Sequence, residues 1–335
     1  MCRYRNLWAG CDKSNDDSNS AGFSNPAYLK RPSAVTGIHI TLDELIRARL
    51  LAQRLRLAPR NVARAQRGGA HLSRFRGRGI DFDEVRLYQP GDDIRSMDWR
   101  VTARTGRPHA KVFREERERP VLFAVDLGPS MQFGTRVAFK SVTAAKVAAF
   151  WAWCAARHGD RVGGVLLRNQ RSVDCKPRAG HAGVLRLLNA LAEPFVLSIS
   201  APELGVPQML QRLRTIAHPG SLIVWISDFQ GVNATHESAF SELRHHSELV
   251  AVQIYDDLEA QLPPPGRYSV SDGQRSLAFD AADPALRQAY QQRYAQHTQE
   301  LQAMLNVLSI RLLRIATHDD PYAVLSSELR AMYGR

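Results

Sequence analysis

The sequence predicts an α/β protein, a doubly wound, mostly parallel sheet in Rossmann-type layers, preceded by a small β-rich module and an N-terminal helix. Three observations carry this. From Pro120 onward, short apolar runs alternate with stretches of helical periodicity, the rhythm of strands covered by helices on both faces. Two of those runs, VLFAVDLG (121–128) and SLIVWISDF (221–229), are continuously apolar and each delivers an aspartate at its end, as buried central strands do. Between Phe82 and Phe113 the segments are short and alternating, broken by Pro90-Gly91 and Thr105-Gly106-Arg107-Pro108, which is hairpin punctuation.

Length and composition set the limits. A chain of 335 residues corresponds to roughly two domains at ~150 residues each. Its 44% hydrophobic and 23% charged residues are those of a folding chain. The longest uncharged apolar candidate, Val147 to Ala156, falls well short of the ~18 residues that a membrane span requires. The first twenty residues hold no apolar stretch ahead of a small-residue cleavage site, so no secretory signal is expected. Cys2, Cys11, Cys154 and Cys175 form no C-x-x-C, so they read as reduced thiols of a cytoplasmic protein, and a zinc site is not expected.

In chain order, residues 1–37 are rich in Ser, Asn, Asp and Gly without an apolar period and read as a disordered tail. Residues 38–73 form a basic, arginine-rich helix and loop. Thr41-Leu42-Asp43-Glu44 has capping-box form, and Leu42, Leu45, Ile46 and Leu50 follow at helical spacing until Pro59. Residues 74–119 are the β-rich module, and 120–335 the α/β domain. In that domain, helices are predicted near 137–157, 183–192, 203–217 and 235–246. Strands are predicted at RVGGVLL, RSVDC, ELVAVQIY and IRLLRIAT. A loop and hairpin is inserted at about 259–283 before a long helix, and Pro321 opens a terminal helix.

In open parallel sheets, ligands bind beyond the carboxyl ends of the strands, near the point where strand order reverses. Asp126 and Asp228 close two predicted strands there, and Ser130 follows Asp126 by four residues. Carboxylates with a hydroxyl are hard oxygen donors suited to Mg²⁺ with retained waters. The competing reading is that each aspartate only caps the next helix.

FAVDLGPSMQFGT followed by a lysine and a long helix, then HGDRVGGVLL and LIVWISDF, resembles a von Willebrand factor A domain with its metal-ion-dependent adhesion site. Upstream, the Y-x-P-G-D-D-x-R-x-x-D-W run of Tyr88, Pro90, Gly91, Asp92, Asp93, Arg95, Asp98 and Trp99 is similar to the bacterial domain of unknown function 58 family. This resemblance covers roughly residues 74–330. It implies partnership with a MoxR-type AAA+ ATPase and an adaptor role toward a client protein, and it supplies no reaction.

Against the adhesion-site pattern D-x-S-x-S the chain offers Asp126, Gly128 and Ser130, and Asp228 matches the strand-end aspartate. The usual threonine is expected near 177–182, where KPRAGHAG has no hydroxyl. The resemblance therefore implies a degenerate site with weak Mg²⁺ binding or none. Arg178 or His181 is expected to reach the two carboxylates in the cation's place. Asp92, Asp93, Arg95, Asp98 and Trp99 read as a turn whose acids pair with neighbouring arginines and whose Trp99 packs into the junction between the β module and the α/β domain, and together with Arg178 and His181 they are the candidate partner-binding residues.

Ser130 has no His partner in sight, and no G-x-S-x-G or phosphate-binding loop is present, so no catalytic residue is assigned. The net charge of +12 is concentrated: 24 basic and 14 acidic residues precede Pro120, against 21 and 19 from there on. Ten arginines and no acid lie between Leu45 and Ile80, a basic face separable from the α/β domain. Nucleic acid is disfavoured as its partner, because the interleaved aromatic residues of single-strand binders are nearly absent. The expected function is thus a non-enzymatic adaptor. A metal-dependent phosphoester hydrolase is the alternative, and a nucleic-acid binder comes third.

Overall fold

The computed structural model describes residues 37–55, 80–89, 94–115, 119–168, 171–194, 204–271 and 276–333. The expected tail (1–37) therefore lies outside the described residues except for its last position, as do Cys2, Cys11 and most of the arginine stretch. The chain forms two compact units: residues 1–59 with 119–335, and residues 60–118.

In the larger unit, α1 (Leu42–Arg54) starts at the predicted capping box: Thr41 Oγ1 accepts from the Glu44 amide, and the Glu44 carboxylate accepts from the Thr41 amide. The sheet contains β3 (Pro120–Asp126), β4 (Arg161–Leu167), β5 (Ser172–Arg178), β6 (Leu222–Ser227), β7 (Glu248–Tyr255) and β10 (Arg311–Ala316) in the order β10-β7-β6-β3-β4-β5. All neighbours are parallel except β5, which runs antiparallel to β4. Helices α3 (Lys140–Arg157), α4 (Gly180–Ala192), α5 (Val206–Ile216), α6 (Glu237–His246), α8 (Pro284–Val307) and α9 (Pro321–Tyr333) cover it. The inserted segment holds the short α7 (Asp257–Ala260) and the hairpin β8 (Arg267–Ser271) and β9 (Ser276–Asp280).

Alternation along the strands sorts the core into two layers. Val121, Phe123 and Val125 of β3 face the cluster that includes α1, α3, α4 and α9, whereas Leu122 and Ala124 face that of α5, α6 and α8. Fifteen residues of α3 are buried, because the sheet lies on one side of the helix and three helices surround the rest.

The expectation of a separable basic helix is corrected here. Leu45, Ala48, Ala52 and Leu55 of the α1 segment are buried in the main core. Trp153 Nε1 donates to the Leu45 carbonyl at 3.1 Å, and Arg157 donates to the carbonyls of Ala52, Gln53 and Leu55, satisfying the end of α1. Counting arginines hid the alanine-lined face that packs.

The smaller unit pairs β1 (Ile80–Leu87) with β2 (His109–Glu115) antiparallel. The connection is not purely hairpin: it holds the helix α2 (Trp99–Thr105), closed by Gly106 in the left-handed conformation (φ 66°). Among the described residues, no helix is long and apolar enough to cross a membrane.

Candidate functional site at the carboxyl edge of the sheet

From β3 the chain proceeds to β4 and β5 on one side, then returns to β6 on the other, so strand order reverses between β3 and β6. Asp126 ends β3, and Asp228 follows the last residue of β6. The two predicted carboxylates thus stand on adjacent strands at the switch point. Asp126 accepts from the Gly128 amide at 2.9 Å and from Ser227 Oγ at 2.9 Å. Asp228 is 6% exposed, and its Oδ1 accepts from the Gln230 amide at 3.2 Å. Ser130 stands on the short turn Pro129–Met131 that follows Asp126, and contributes to holding the Asp228 carboxylate in its ionised form. Phe229, the next residue, takes a left-handed φ of 57°, a conformation costly for a non-glycine residue. Its ring is buried 6.0 Å from that of Trp225, which fixes the turn.

The residue missing from the expected site is Lys140. The loop after Ser130 folds back tightly: a Cβ at Gly134 would stand 2.1 Å from the Ala138 carbonyl, and the Lys140 amide donates to the Phe133 carbonyl at 2.7 Å. This places Lys140 at the first position of α3 with its side chain 0% exposed. Its Nζ lies 2.8 Å from Asp228 Oδ2 and 2.5 Å from Glu259 Oε1, Glu259 coming from α7. Glu259 also accepts from Gln230 Nε2 at 2.8 Å and from the Asp256 amide at 3.1 Å.

The three charges shift one another. Burial works against the Lys140 ammonium, but the Asp228 and Glu259 carboxylates outweigh it and hold its pKa above the ordinary range. Burial likewise opposes ionisation of Asp228, yet Lys140, with help from Gln230 and Ser130, holds it below the usual value. Glu259 goes the other way: burial and the nearby Asp228 charge raise it despite Lys140. Beside this triad, Asp256 is 1% exposed and accepts from the Thr135 amide (3.0 Å), Thr135 Oγ1 (2.7 Å), Leu258 N (3.1 Å) and Thr317 Oγ1 (2.5 Å). Those hydrogen bonds keep it ionised in spite of burial.

These residues do not fit a divalent ion. The Asp228 oxygen that would ligate faces an enclosed ammonium, the first hydroxyl of the pattern is replaced by Gly128, and Glu259 is held on both oxygens. Among the described residues, no group of three or more His, Cys, Asp or Glu is arranged to hold a metal.

Arg178 and His181 do not reach the carboxylates. Because β5 is antiparallel, Arg178 pairs with Val162 at the start of β4, which brings KPRAGHAG to the amino edge of the sheet. His181 packs edge-on against Trp153 at 5.6 Å. Trp153 lies thirteen residues along α3 from Lys140, about 20 Å at the helical rise.

In the smaller unit, Asp92 and Asp93 lie outside the described residues. Asp98 is the N-cap of α2, accepting from the amides of Arg100 and Val101 at 3.0 and 3.1 Å. Arg95 is exposed on the 3-10 turn Ile94–Ser96. Trp99 is 66% exposed and Ile94 63%. The sequence reasoning missed Lys140, Glu259 and Asp256. The D-D-L-E of 256–259, a capping box directly after an apolar strand, was the available signal for the last two.

Residues 84–300 match the family described as protein of unknown function DUF58. The uncharacterized proteins Rv1480 of Mycobacterium tuberculosis and Mb1516 of Mycobacterium bovis are each 30% identical over 255 residues, 75% of this chain and 79% of theirs. Among solved structures, BatB of Bacteroides thetaiotaomicron is similar at 12% identity and a TM-score of 0.39, over 65% of this chain and 100% of that one. A von Willebrand factor type A protein of Catenulispora acidiphila is similar at 12% identity and a TM-score of 0.38, over 67% of this chain and 43% of that one. With a match spanning residues 84–300 and relatives at 30% identity over three-quarters of its length, the chain belongs to the DUF58 family.

Proposed function

We propose that this DUF58 protein is a non-enzymatic recognition module of the cytoplasm, working as an adaptor between a MoxR-type AAA+ ATPase and a client protein during assembly or maturation. The observation that carries the reading is the site at the switch point. Asp126 and Asp228 end adjacent strands there, and Asp228 is ion-paired with the buried Lys140, beneath exposed loop residues. Six and seven residues after Ser130 the loop presents Arg136, its side chain 71% exposed, and Val137, 60% exposed. Exposed Trp99 and Ile94 on the smaller unit supply a second surface of the kind that anchors partners. The ATPase as partner is what the family resemblance implies.

The hydrolase alternative needs carboxylates free to bind metal and a general base. Asp228 is committed to Lys140, which favours recognition over catalysis.

The test is co-elution of the full chain with the MoxR-type ATPase of the same genome on size exclusion. Wild type is expected to co-elute. An Arg136→Glu/Val137→Asp variant is expected to separate from the ATPase while melting like wild type. Failure of wild type to associate sinks the adaptor reading. Mn²⁺-dependent phosphoesterase activity that disappears in Asp126→Ala establishes the alternative.

A further inference from the structure

We infer that the Lys140 ammonium is the permanent cation of the carboxyl edge, standing where an adhesion-type site would hold a divalent metal, so that the wild-type edge takes no such ion. The position of the lysine is the first argument. A cation in the first turn of a helix opposes the helix dipole, and the first turn of α3 has no acidic residue to offset it. A lysine there would ordinarily extend into water. This one is 0% exposed, and only its two carboxylate partners account for that.

The second argument is saturation. Of the three N–H groups of the ammonium, one is directed at Asp228 Oδ2 and one at Glu259 Oε1. The remaining oxygens of those carboxylates accept from the Gln230 and Asp256 amides. A divalent ion at Asp228 would displace these bonds and bring like charges into contact inside a buried site. The third argument is charge balance. One ammonium between two carboxylates leaves a single net negative charge; removing the ammonium leaves the two carboxylates facing each other, hard oxygen donors of the kind that Mg²⁺ or Mn²⁺ selects.

The test needs no partner protein, so its outcome is independent of the adaptor reading. Full-length wild type and Lys140→Ala are titrated with Mn²⁺, following free Mn²⁺ by electron paramagnetic resonance, with circular dichroism as the check on folding. Wild type is expected to leave Mn²⁺ free through the millimolar range. Lys140→Ala is expected to gain one bound ion, lost again in Lys140→Ala/Asp228→Asn. Where Lys140→Ala does not fold, Lys140→Gln, which keeps the length and an N–H donor, takes its place. One Mn²⁺ bound by wild type and released by Asp228→Asn overturns the inference. So does a folded lysine variant that gains no ion.

Discussion

Nζ of Lys140 lies 2.8 Å from Oδ2 of Asp228, joining the first residue of α3 to the end of β6 by an ion pair whose lysine is 0% and aspartate 6% exposed. The pair links two segments 88 residues apart, and through Glu259 it also binds the segment that follows β7.

Removing the lysine alone leaves two buried carboxylates without a counter-charge. Lys140→Met is expected to destabilise the protein by about 3–5 kcal/mol, the cost of breaking a buried pair from one side. Urea unfolding measures it. Lys140→Met/Asp228→Asn/Glu259→Gln, which removes the stranded charges too, is expected to recover part of the loss.

The shifted groups set distinct pH windows. The folded-state pKa of Lys140 is raised, so its contribution is complete below the ordinary lysine value of about 10.4 and is lost as pH rises through the folded value. Asp228 is lowered, so its contribution is present above about 3.9 and is lost as pH falls through the folded value. Glu259 is raised, so its ionisation removes stability as pH climbs above about 4.3. Urea midpoints across pH are therefore expected to flatten on the alkaline side in Lys140→Met. Glu259→Gln is expected to lose the decline above the glutamate range.

Leu45 tests whether α1 is an integral part of the larger unit. It is 0% exposed, and Leu45→Ala is expected to cost about 2–5 kcal/mol, as for other buried leucines. A helix attached only by its charges would give no such loss in the urea midpoint, and would instead show a strong salt dependence.

Asp98 separates a capping role from a recognition role. Asp98→Ala is expected to lower stability by about 1 kcal/mol, while Asp98→Asn, also a good N-cap, stays near wild type. Denaturation of both variants decides, and equal losses would place the importance of Asp98 in its charge.

Asp126 and Asp228 were legible because an apolar strand that ends in an aspartate carries its own period and its own stop. The inserted hairpin was legible from its punctuation, Pro263-Pro264-Pro265-Gly266, ahead of the long helix. Lys140 was not, since a lysine at a helix start ordinarily points into water, and only the fold brings β6 and α7 around it. Arg178 and His181 were placed at the wrong end because RSVDC has the composition of any short strand. Direction is set by pairing, and β5 pairs antiparallel. The packing of α1 was obscured because Ala48 and Ala52 are small and their arginine neighbours conspicuous.

The packing of α1 and α9 against α3 also separates the unit of evolution from the unit of folding. The family match starts at residue 84 and stops at 300, whereas the core is completed by Leu45, Ala48 and Ala52 before it and by Leu313, Ile315, Leu325 and Leu329 after it. A fragment cut to the family boundaries would lack an edge strand of its sheet and bare two sides of its central helix. Expression of this domain in isolation therefore has to begin ahead of Thr41 and run through α9.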